Sequence, residues 1–85
     1  MDCLAICESG NFALKLCDKL DKKGFYCEVA STPCKLAKEG CSYCIKFSNS
    51  IYDDVIATAK EAGIKIVMTY KIEKGLTSNN YIAIN

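Results

Sequence analysis

The stretch GIKIVMTYKIE (residues 63–73) opens on a glycine and then alternates. Ile64, Ile66, Met68, Tyr70 and Ile72 fall at every second position, with Lys65, Val67, Thr69, Lys71 and Glu73 between them. That is the period of a strand with one apolar face. Just upstream, Ile51, Val55, Ile56, Ala59 and Ala62 make the apolar stripe of a helix, which Gly63 ends. Ser48-Asn49-Ser50 precedes that helix as a cap cluster, and Ser50 with Asp53 has the spacing of a capping box. The helix exit Lys60-Glu61-Ala62-Gly63-Ile64 is matched by Asp21-Lys22-Lys23-Gly24-Phe25 in the first half of the chain. Before that earlier exit, Phe12, Ala13, Leu16, Cys17 and Leu20 form a second helical stripe, and Ser9-Gly10-Asn11 supplies its cap. Strand-like segments flank both helices: the apolar run from Asp2 to Glu8, and the alternating runs Phe25–Val29 and Tyr43–Phe47.

The spacing predicts elements near 2–8, 11–23, 25–31, 42–47, 50–62 and 64–73. Strand, helix, strand, twice over, is the α+β ferredoxin-like split βαβ arrangement. Right-handed crossovers then favour a four-stranded antiparallel sheet in the order 4-1-3-2, with two helices on one face. Beyond Gly75, a polar turn leaves room for a short fifth strand at Tyr81–Ile84. Both Cys3-Ala5-Cys7 and Leu4-Ile6 are apolar, so either face of the first strand could carry the helices. If the other face stays open, with Val67, Ala30, Leu4 and Ile6 on it, it can form a homodimer or hold a small ligand; two apolar faces also suggest that both are buried, one by a partner or by residues 76–85.

Eighty-five residues suit a single domain, 1–85, with a core over 2–73 and a C-terminal extension over 74–85. The 11 basic and 10 acidic residues nearly cancel, which leaves no electrostatic footprint for nucleic acid. Every basic residue is Lys, so no bidentate Arg fork is present, and the absence of His removes Ser–His and Cys–His nucleophile pairs. No apolar run approaches the ~20 residues of a membrane span. Met1-Asp2-Cys3-Leu4 lacks the basic start of a secretory leader. Seven Cys is an awkward count for a closed disulfide framework, and free thiols in a reducing cytoplasm are expected.

Cys17 and Cys27 lie on apolar stripes and read as core filler, and Cys3 and Cys7 share one face of the first strand. Cys34, Cys41 and Cys44 fall at loop positions and a strand entrance. Cys41 and Cys44 have disulfide-like sequence spacing, but in an extended chain they stand roughly 10 Å apart, beyond bridging reach unless a turn intervenes at Cys41. Zinc would need a fourth ligand beside Cys34, Cys41 and Cys44, and iron–sulfur spacings are absent, so no metal and no cofactor is expected. Topology favours Cys41. The connection between strands two and three ends where the first helix begins, so Cys41 should enter the sheet near Cys7 and the amides of Gly10, Asn11 and Phe12. The positive end of a helix favours thiolate over thiol, and Lys35 and Lys38 in the same loop act in the same direction.

At Ser31-Thr32-Pro33, the following loop, Cys41 and Ile45-Lys46-Phe47, the chain resembles a small bacterial family described as selenium/sulfur carrier protein-like. The resemblance runs from about Ala5 to Glu73 and includes Ala13-Leu14-Lys15 and Gly63-Ile64. Cys41 falls on the family's characteristic Cys. The chain departs from the pattern with Ser42 where Gly is usual, Lys46 where Arg is common, and Cys44 at a usually small position. The resemblance implies a non-enzymatic carrier that holds sulfur or selenium on Cys41 and exchanges it with a donor or acceptor protein. Cys34, Cys44 or Cys7 would serve as resolving or auxiliary thiols. The rival readings are a ferredoxin-like binding or regulatory module and a thiol redox sensor pairing Cys41 with Cys7, Cys34 or Cys44.

Overall fold

A computed structural model describes residues 2–33, 36, 43–75 and 79–84. Strand β1 (Cys3–Cys7) is buried at every position and occupies the middle of the sheet. Its unbroken apolar run follows from that place, because both of its faces are covered. Helix α1 (Gly10–Lys22) starts where Ser9 Oγ accepts the Phe12 N–H at 3.3 Å. It ends at Gly24, whose φ of +89° suits a residue without a Cβ. Strand β2 (Cys27–Ser31) follows, then β3 (Tyr43–Phe47). A 3-10 turn over Asn49–Ile51 leads into helix α2 (Tyr52–Ala62). The cap in this segment is Ser48, which accepts the Ser50 N–H, and not the expected pair of Ser50 and Asp53. Gly63 closes α2 in the left-handed region at φ +68°. Strands β4 (Ile66–Lys74) and β5 (Asn79–Ala83) complete the chain.

The sheet is antiparallel throughout and five-stranded, in the order β2-β3-β1-β4-β5. This corrects the expected four-stranded ferredoxin-like arrangement. The reason lies in the outer edge of β4, the edge that faces away from β1. β4 has nine residues, and its pairing with β1 stops at Lys71. β5 pairs along the outer edge of β4, from Tyr70 opposite Ala83 to Lys74 opposite Asn79. The backbone groups of that edge, which would otherwise face solvent unpaired, are thereby satisfied.

A register shift interrupts the β1–β4 ladder: Cys7 pairs with Ile66, but Ile6 pairs with Met68. Val67 is the extra residue and is 52% exposed. The alternation expected from 64 to 72 is thus split. Ile66 packs on the helix side, whereas Met68, Tyr70 and Ile72 pack on the opposite face. A bulge of this kind exchanges the faces of every residue beyond it.

On the helix side, Leu16 and Leu20 of α1 and Val55 and Ala59 of α2 close over Cys3, Ala5, Cys7, Ile45 and Phe47. Each large aliphatic side chain enclosed there contributes roughly 1.5–3 kcal/mol. On the other face, Leu4, Ile6 and Cys44 are buried, with Leu36 and Tyr81 among the residues packed against them. The centre of the second face is therefore closed within one chain and is not the open apolar surface expected for a homodimer contact.

Candidate functional site

The N-terminus of α1 meets the entrance of β3. Strand β3 enters beside β1, with Tyr43 opposite Cys7 and Cys44 opposite Ile6. The Tyr43 ring lies over Gly10, where a Cβ would meet ring carbons at 3.1 and 3.3 Å. Glycine at the first helical position is what permits this approach. Beside the contact, a groove of about 470 Å³ is lined by Ser9, Gly10, Asn11, Leu14, Val29 and Tyr43. The first turn of α1 carries no acidic residue, so the partial positive charge of the helix end is not neutralised from within that turn.

Of the residues singled out from sequence, Gly10 and Asn11 line this groove and Phe12 follows them, 38% exposed. Cys34, Lys35, Lys38 and Cys41 lie outside the described residues. Cys7 and Cys44 sit on opposite faces of the sheet, in separate clusters, and both are buried. Burial, and secondarily the nearby Cys44, pushes the Cys7 thiol up to about 11. Burial also raises Cys44, against weaker downward influences from the Thr32 hydroxyl and Lys46. Among the described residues, the buried Thr32 Oγ1 has no hydrogen-bond partner, so its help would come only on ionisation of Cys44. Cys3 is raised by burial and then by Asp2. These thiols are held protonated at neutral pH and are poorly placed for direct attack from solvent.

Sequence reasoning missed one pairing. Cys17 of α1 is half-buried and Cys27 of β2 is buried, as filler positions would be, but their Sγ atoms stand 2.7 Å apart. No local spacing rule marks the pair, because the reversal at Gly24 brings a helix face onto a strand face.

Among the described residues, no group of three His, Cys, Asp or Glu side chains is arranged to hold a metal ion. No described helix is long and apolar enough to cross a membrane. A family model described as "Putative Se/S carrier protein-like" matches residues 2–71. That span takes in β1 to β3, both helices and β4 as far as Lys71, and stops before β5. No curated protein matches the chain.

Proposed function

The chain belongs to the Se/S carrier protein-like family, and from that premise we propose that it is a non-enzymatic carrier with Cys41 as the carrying thiol. Cys41 thiolate attacks the outer sulfur of a donor persulfide. The new S–S bond leaves Cys41 as the persulfide, and the donor departs as its thiolate. Attack by an acceptor thiolate reverses the step, and selenium would be carried in the same way. No general base is needed where the thiolate already exists, so a chain without His can perform it.

The observation that carries this reading is the seating of Tyr43 on Gly10. It brings the entrance of β3 to the positive end of α1. Cys41 precedes Tyr43 by two residues, a span of no more than about 7 Å of extended chain. Lys35 and Lys38 in the same connection add positive charge. The raised, buried thiols of Cys3, Cys7 and Cys44 are poor competitors for the donor. Cys34 is the auxiliary thiol of the same connection. A soluble donor or acceptor protein in a reducing cytoplasm is the partner this chemistry requires.

The test is incubation of the reduced protein with a persulfide donor, followed by intact-protein and peptide mass spectrometry. One added sulfur on Cys41 is expected, lost in Cys41→Ser and retained in Cys17→Ser and Cys27→Ser. An adduct spread evenly over several cysteines, or unaffected by Cys41→Ser, would overturn the reading.

A further inference from the structure

The closest pair of thiols among the described residues lies away from the carrier site. Cys27 pairs with Phe47 at one end of the β2–β3 ladder, and Ser31 pairs with Tyr43 at the other. Four residues of strand, roughly 13 Å, separate the two ends. The Cys17 and Cys27 Sγ atoms are 2.7 Å apart. Each sulfur also approaches the other residue's backbone: Cys17 Sγ lies 3.4 Å from the Cys27 carbonyl oxygen, and Cys27 Sγ lies 3.8 Å from that of Cys17. The two side chains therefore converge, each sulfur lying beside the other residue's carbonyl, so that the two sulfurs can join without a large movement of either element.

We infer that Cys17 and Cys27 form a redox-active dithiol, a site that low-molecular-weight disulfides oxidise to an intramolecular disulfide and thiols reopen. The two sulfurs differ in access. Cys17 is half-buried on α1, whereas Cys27 keeps only 9% of its accessible surface, so Cys17 is the more accessible residue of the two. Burial, together with the adjacent Cys17, pushes the Cys27 thiol up to about 12, so it holds its proton while its neighbour reacts. In the first step Cys17 thiolate attacks a small disulfide RSSR, forming Cys17–S–S–R and releasing one RS⁻. Cys27 then attacks the Cys17 sulfur as its proton leaves, which releases the second RS⁻ and closes the bridge. The two cysteine thiols lose two electrons, the small disulfide gains them, and the two thiol protons pass to the two departing thiolates. The bridge ties the second half of α1 to the first residue of the edge strand β2.

The full chain is equilibrated in graded mixtures of reduced and oxidised glutathione, quenched with iodoacetamide and digested with trypsin. The expected product at the oxidising end has lost two hydrogens and two alkylatable thiols. It yields peptide 16–19 linked to peptide 24–35, with fragment ions that place the bond on Cys27 and not on Cys34. Cys27→Ser should instead accumulate glutathione on Cys17. If that variant does not fold, Cys17→Ser should leave Cys27 unlinked and unmodified in the native protein. Cys41→Ser should form the bridge unchanged, which separates this inference from the carrier reading. Persistent glutathione on Cys17 in the unmutated protein, a bond to Cys34, or two free thiols throughout the series would each overturn the inference.

Discussion

Tyr43 and Gly10 are in contact across the junction of β3 and α1, close enough that a methyl group on Gly10 would press into the ring at 3.1 Å. Gly10→Ala sets two effects against each other. Alanine favours the helix by up to about 1 kcal/mol, less at the first position, and the displaced ring opposes it. Tyr43 is 43% exposed and can yield. Stability should therefore change by no more than about 1 kcal/mol in urea unfolding, while the Tyr43 ring resonances shift and adduct formation at the neighbouring loop slows. Unmoved Tyr43 resonances would show that the ring does not rest there.

The buried thiols predict an alkaline limit to stability. Burial pushes the Cys7 thiol up to about 11 in the folded chain, from an ordinary value of about 9. The folded state thus holds this proton longer than the unfolded state. Its contribution is complete below about pH 9 and is lost as pH climbs from there through about 11, by roughly 3 kcal/mol in all. Cys3, Cys27 and Cys44 shift in the same direction. Urea midpoints should fall steadily between about pH 9 and 10.5, and less steeply in Cys7→Ala. A flat profile would contradict the enclosure of Cys7.

Lys23 joins the two helices, with its Nζ 3.0 Å from Thr58 Oγ1 and 2.8 Å from Glu61. The ion pair is exposed and worth little, whereas the Thr58 side chain is buried and its hydroxyl would lose a charged donor. Lys23→Met should cost about 1–2 kcal/mol. Glu61→Gln should cost less than about 0.5 kcal/mol. Equal losses in denaturant unfolding would show that the ion pair, and not the hydroxyl, carries the contact.

The bulge in β4 makes adjacent residues behave oppositely. Val67 is exposed, while Met68 packs with Leu4 and Ile6. Val67→Lys should stay within about 0.5 kcal/mol of the parent protein, and Met68→Lys should destabilise it by several times that. Similar effects at both positions would mean that the register does not shift where the structure has it.

The junction of β3 with the start of α1 was legible from connectivity. A turn that ends β1 at Ser9-Gly10-Asn11 must start a helix there, and the strand that pairs with β1 in the opposite sense must enter at the same end. The meeting of Tyr43 with Gly10 is the outcome of that constraint. Cys7 and Cys44 were less legible as auxiliary thiols. Alternation says that neighbouring positions point to opposite faces, but not that both faces are closed over them.

The sequence by itself determined the two helices, their glycine exits and the alternating strands, because helix and strand periods and left-handed glycines are local properties of the chain. Three features depended on tertiary structure. The pairing of β5 with β4 required the outer edge of β4, which exists as an edge only once β4 has paired with β1 on its other side. The exchange of faces at Val67 is set by the partner strand, since a perfect alternation contains no mark of a bulge. The convergence of Cys17 with Cys27 arises where a helix stripe and a strand face are pressed together, and neither periodicity carries information about which side chains of the other it will meet.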